Sequence, residues 1–157
     1  MEVRIREAQK DDYPIIYDCM TETAWKDVPE EEKVISERSL WEQFFRGIAK
    51  PLIERPGRKI FIAYDDQNDI MGYVITGGMG EESSVIPVGM IFDICVLEQF
   101  RKRGIAKMLI EVAEEYCRQQ GIWRIKLEVA ANNPVAIDLY RKAGFKDERT
   151  LMGKNLS

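Results

Sequence analysis

The residues best equipped for chemistry lie at Arg101-Lys102-Arg103-Gly104-Ile105-Ala106, between a near-continuous apolar run (88–97) and a helical pattern. A strand that turns abruptly into a helix points unpaired backbone N–H groups at the turn, and the helix dipole adds positive potential there. Gly104 has no Cβ to hold a phosphate off the backbone, and small Ala106 keeps the approach open. Lys102, Arg103 and Lys107 surround the same opening with positive charge, so a pyrophosphate would fit. The hexapeptide also reads as a glycine near a helix start beside a solvated basic cluster. It is neither a Walker loop nor a G-x-G-x-x-G turn.

The chain has no histidine, which removes Ser-His-Asp and Cys-His catalysis and most zinc sites; no metal is expected. A base must come from a carboxylate, a lysine, a tyrosine or water. Cys19, Cys95 and Cys117 are odd in number, widely spaced and set among apolar residues, and each reads as a buried free thiol.

These groups need elements to position them. Val3 and Ile5 alternate with charged neighbours as in a strand, and Asp11 or Asp12 can cap a helix with Pro14 in its first turn and Tyr13, Ile16, Tyr17 and Met20 on one side. Leu40, Trp41, Phe44, Phe45 and Ile48 recur at helical spacing. Residues 58–64 and 70–76 read as strands joined by an Asp-rich turn, after which Gly77-Gly78-Met79-Gly80 breaks the pattern. The 88–97 run has the composition of a strand covered on both faces. The helix that starts near Lys102 has its stripe at Ile105, Met108, Leu109, Val112, Ala113 and Tyr116, and Gly121 stops it. Residues 123–130 alternate as a strand, Asn133-Pro134 caps a short helix that ends at Gly144, and 145–156 reads as a closing pair of strands. The strand–helix–strand unit over 88–130 predicts a parallel crossover. The expected class is α/β, or α+β in stricter naming, in a single domain spanning 1–157.

R-x-x-G-x-A after a hydrophobic strand resembles a motif of the GNAT superfamily of N-acetyltransferases. Downstream, Asn133-Pro134-Val135-Ala136-Ile137-Asp138-Leu139-Tyr140, followed by Gly144-Phe145, is similar to that family's N-x-x-A-x-x-L-Y-x-x-x-G-F signature at the expected distance. The resemblance implies a mixed, mostly antiparallel central sheet with helices on both faces, and acetyl-CoA as cosubstrate. It implies that the backbone at Ile94, Cys95 and Val96 pairs with the pantetheine arm. It also assigns the pyrophosphate to the segment Arg101, Lys102, Arg103, Gly104, Ile105, Ala106 and Lys107, with Asn133 helping to hold coenzyme A. Tyr140 matches the tyrosine near the sulfur, where a phenol can help the thiolate leave. A backbone N–H near Val96 would hold the carbonyl oxygen as charge builds. Leu127-Glu128-Val129 resembles the segment that carries the base in ribosomal-protein N-terminal acetyltransferases, which implies Glu128 as base. Asp93, inside the cofactor strand, is its rival, and Glu98 is a third choice. The proline usual after that strand is replaced by Leu97-Glu98-Gln99.

The activity implied is acetyl transfer to a primary amine of a small molecule, a lysine side chain or a protein N-terminus. A non-catalytic acyl-CoA-binding regulatory module is the alternative. In this fold residues 25–56 would line the acceptor side, where Glu30, Glu31, Glu32, Glu37 and Glu42 could favour a cation or form a solvated face. A net charge of −4 argues against a nucleic-acid partner, and no apolar run approaches the roughly 20 residues of a membrane span. The absence of a signal-peptide core at the start gives a cytoplasmic expectation, and a homodimer is allowed for.

Overall fold

The computed structural model of the chain describes residues 2–79 and 85–156, which leaves Gly80 of the glycine-rich break outside the described residues. Among these residues, five strands lie in the order of the chain: β1 (Arg4–Glu7), β2 (Arg58–Tyr64), β3 (Ile70–Gly78), β4 (Gly89–Val96) and β5 (Ile125–Leu127). The first four are antiparallel to their neighbours, and β4 and β5 are parallel, as the crossover pattern requires. Strand alternation sends side chains to two faces, and each face is covered by helices. One face buries Ile60, Ile62, Tyr73, Ile75 and Cys95 against α1 (Tyr13–Asp27) and α3 (Arg38–Glu54). The other buries Ala63, Met71, Val74 and Ile91 under Ile105, Leu109, Ile110 and Ala113 of α4 (Ile105–Gln119). Leu139 and Tyr140 of α5 (Pro134–Lys142) pack on that second cluster. The short α2 (Glu30–Lys33) joins α1 to α3. No helix among the described residues is long and apolar enough to cross a membrane.

Several local expectations change. Asp12 does not cap α1 with its side chain. It accepts two bonds from Arg6 and one from the Gln9 amide at 2.7 Å, so this carboxylate ties β1 to the turn before α1. The long helix starts at Ile105 rather than near Lys102, because Lys102 (φ 62°) and Gly104 (φ 77°) are left-handed. The strand expected over 123–130 shrinks to three residues, since β4, its only partner among the described residues, pairs with it only through Gly89–Ile91. Residues 145–156 form no strand. Phe145 packs on the second cluster, while Asp147 pairs with Arg141 and Glu148 with Arg124 and Lys126, contacts that need no ladder. Cys117 is buried and free, but Cys19 and Cys95 form a disulfide, brought together across 76 residues where α1 lies over β4. Glu30 is paired with Lys33, and Glu42 with Arg38, so part of the acidic run is already neutralised.

Candidate active site

β4 pairs with β3 along its whole length but with β5 only through Gly89–Ile91. Among the described residues, no strand lies beside the β5-facing edge of β4 beyond Ile91, and this open stretch includes Ile94, Cys95 and Val96. A bulge marks the point of parting. Ile75 of β3 lies opposite Asp93, and the next residue, Thr76, lies opposite Ile91, so Phe92 is the extra residue. A bulge bends its strand and re-aims the side chains around it. Here it puts Phe92 and Asp93 both on the α1–α3 face.

The turn after β4 meets the first expectation of an anion site. Leu97 bonds back to Met71, and the Arg101 Nε donates to the Val96 carbonyl at 3.2 Å, which closes the strand end. Two left-handed residues, Lys102 and Gly104, then turn the chain into α4. Alternating right- and left-handed backbone gathers amides into a concavity that favours anions. Gly104 is the N-cap and supplies no side chain to the first amides of α4, and a Cβ there would meet nothing within 4 Å. No acidic side chain lies in the first turn of α4, while Lys107 faces Glu111 at 3.8 Å, with both ends exposed.

At the parting of the strands, two carboxylates and two phenols converge. Asp93 accepts a 2.5 Å hydrogen bond from Tyr73. Burial pushes the Asp93 carboxyl up to about 6, against the pull of Tyr73 and of the Ile94 amide, and the nearby charge of Asp27 pushes the same way. Asp27, the last residue of α1, is itself raised by burial, while Asn133 and Lys33 oppose the shift. Tyr140 is pushed up to about 12, first by burial and then by the charges of Asp93 and Asp27. Its ring lies edge-on to Phe145, 6.1 Å between centroids. Tyr140 packs with the second cluster and yet feels carboxylates of the opposite face, an interaction that passes through the gap between β4 and β5. Asn133 joins the two sides. Its side chain accepts from the Ala136 amide at 3.2 Å, as a helix cap should, and its Nδ2 donates to Asp27 at 3.5 Å.

Of the residues expected from sequence, the structure therefore gathers Asn133, Tyr140 and Asp93, with Ile94, Cys95 and Val96 on the open edge and Arg101 to Lys107 at its end. Glu128 lies past the end of β5 and is exposed. Glu98 is exposed in a short 3-10 turn after β4. Sequence reasoning missed Asp27 and Tyr73. Asp27 carries no motif, and Tyr73 reads as an ordinary strand aromatic. The available signal was the apolar company of Asp93 in Ile91-Phe92-Asp93-Ile94, which demands a buried partner.

Comparison with known proteins gives a consistent result. A family model described as the acetyltransferase (GNAT) family matches residues 5–145. YycN of Bacillus subtilis, an uncharacterized N-acetyltransferase, is 26% identical over 129 residues, covering 82% of this chain and 78% of its own. An N-alpha-acetyltransferase of Saccharolobus solfataricus is 32% identical over 104 residues, 62% of each chain. Among solved structures, a Pyrococcus furiosus protein assigned as an acetyl transferase superposes with a TM-score of 0.83 at 23% identity, over 99% of this chain and all of that one. An aminoglycoside N-acetyltransferase solved with CoA gives a TM-score of 0.70 at 18% identity, over 98% of this chain and 95% of its own.

Proposed function

Since the chain belongs to the acetyltransferase (GNAT) family and is an acyltransferase, we propose that it moves the acetyl group of acetyl-CoA onto a primary amine by direct attack in a ternary complex. The observation that carries this reading is the parting of β4 from β5 beside Asp93 and Tyr140. The stretch of Ile94, Cys95 and Val96, where the Val96 carbonyl already accepts from Arg101, offers a pantetheine arm an edge with no neighbouring strand among the described residues, and the turn from Arg101 to Lys107 offers amides and positive charge to a pyrophosphate.

In the proposed reaction the unprotonated amine nitrogen bonds to the thioester carbon, the carbon–sulfur bond breaks to release the thiolate, and the nitrogen, made cationic by the new bond, sheds a proton. Asp93 is the group proposed to take it. What supports Asp93 is its pKa of about 6, its part-buried position at the gap, and its link to Tyr73. A carboxyl at 6 is roughly nine-tenths ionised at pH 7 yet a far better base than an ordinary carboxylate. Glu128 remains the second candidate and is tested alongside it. Tyr140, held at about 12, stays protonated, and its phenol is proposed to face the sulfur. Full transfer to a thiolate, whose acid has a pKa near 8.5, would be uphill by about three and a half pH units, so the phenol serves by hydrogen-bonding to the developing charge. When Asp93 takes the proton, one of the charges that raises Tyr140 disappears, so the phenol donates more readily as the sulfur departs. The acceptor proposed is a cationic amine drawn in by Asp27 and Asp93.

An acetyl-CoA turnover screen over polyamines, amino acids, aminoglycosides and short peptides, read by thiol release, tests the proposal. Thiol release with at least one amine class is expected. A folded protein that binds acetyl-CoA and releases no thiol with any amine contradicts it.

A further inference from the structure

Arg58 opens β2 on the same face as Ile60, Tyr73 and Asp93, and its guanidinium carbon lies 3.3 Å from the centroid of the Phe92 ring. Phe92 is the bulged residue of β4, and Asp93 follows it. Between the two strands the register partner of Arg58 is Gly77, so no side chain stands in the way. Acids outnumber bases in this chain, 27 to 23, and Arg4, Arg6, Arg38, Arg118, Arg124 and Arg141 each have a carboxylate partner. Arg58 has none among the described residues, and its Nε is buried without a hydrogen bond. Burial, and then the neighbouring charge of Arg55, both disfavour its protonated form. A half-buried cation beside a second cation is a cost that stacking on Phe92 only partly offsets. Stacking also occupies the face of the guanidinium and leaves the N–H groups of its two terminal nitrogens, which unlike Nε are not buried without a partner, as the pair that can bind carboxylate or phosphate in a two-pronged fashion.

We propose that Arg58, backed by Arg55, binds an anionic group of the acceptor, so that the amine acetylated at Asp93 also carries a carboxylate or a phosphate. This rests on the acetyl-transfer reading above. The test uses matched acceptors with the full chain: an ω-amino carboxylate against its amide, and an aminoalkyl phosphate against its parent amino alcohol. Thiol release gives kcat/KM, and the shift of melting temperature with each acceptor gives binding without turnover. At least one anionic member should be favoured by about tenfold to a hundredfold, the range expected of a charge-assisted contact. Whether the carboxylate or the phosphate pair shows the larger ratio identifies the group. Arg58→Met should erase the preference by raising KM for the anion while changing the neutral member less than about twofold. Arg58→Lys should keep part of the preference, and Arg55→Ala, an exposed change that spares the core, should weaken it in the same direction. Equal use of both members by the unmodified protein, or an equal loss for both in Arg58→Met, overturns the proposal. If no amine yields thiol but the anionic member still raises the melting temperature in an Arg58-dependent way, the acetyl-transfer reading falls and the anion site stands. If there is neither turnover nor shift, the site falls too.

Discussion

Asp93→Asn should make the protein more stable and much less active. Burial holds the Asp93 carboxyl at about 6 rather than the ordinary 3.8. That displacement of about two pH units corresponds to about 3 kcal/mol. The folded carboxyl keeps its proton to higher pH than the unfolded one, so the native state binds more protons between about pH 4 and 6. Stability therefore falls as pH rises through that window, and above it the ionised group burdens the fold by at most about 3 kcal/mol. Asparagine has no charge to bury, but it accepts a weaker bond from Tyr73 than a carboxylate does. The pull of Tyr73 is already contained in the value of about 6, so the variant should be about 2–3 kcal/mol more stable at pH 8, with little difference at pH 4. Urea unfolding at both pH values measures this. Activity should move the other way: kcat/KM of the unmodified enzyme should rise with pH through about 6 and level off before the amine itself titrates. Asp93→Asn should be slower by roughly a hundredfold or more and lose the inflection near 6. Glu128→Gln, measured in parallel, should keep both rate and inflection. If Glu128→Gln loses them while Asp93→Asn keeps them, Glu128 is the base. A variant that is destabilised at pH 8 refutes the charge-burial reasoning, whatever its rate.

Three further outcomes follow from the same geometry. Gly104→Asp should abolish acetyl-CoA binding, because a carboxylate would enter the pyrophosphate turn and a side chain would be forced into a left-handed residue; calorimetry on the folded variant checks it, and unchanged affinity refutes it. Tyr140→Phe should lower the maximal rate by at least about tenfold with little change in acetyl-CoA affinity, since the ring packing is kept and only the hydroxyl is lost; full activity would return Tyr140 to a packing role. Asp12→Asn should cost about 1–2 kcal/mol at pH 7, because hydrogen bonds from Arg6 and Gln9 hold the Asp12 carboxyl below its usual range. That stability is present above the unfolded pKa near 3.9 and is lost as pH falls through the lower folded value, so the variant should show a flatter acid limb in unfolding.

The parts of this protein readable in its sequence are those set by neighbours along the chain. Helical periodicity placed α4, the Asn-Pro pair marked the start of α5, and Asn133 caps Ala136 as its position suggests. The basic glycine turn and the Asn133 to Phe145 signature pointed to the right family because both are local spacings. What failed or was missing depends on pairing across the sheet. Whether residues 145–156 form strands is decided by the presence of a partner edge, and β5 is too short to supply one beyond Leu127. The bulge at Phe92 is a mismatch between two strands, invisible in either strand alone. Asp27, Tyr73, Asp93 and Tyr140 come from α1, β3, β4 and α5, and only folding sets the burial and charge that move Asp93 to about 6 and Tyr140 to about 12. The same holds for Cys19 with Cys95 and for Arg58 on Phe92: residue type was legible in advance, but the partner was chosen by tertiary structure.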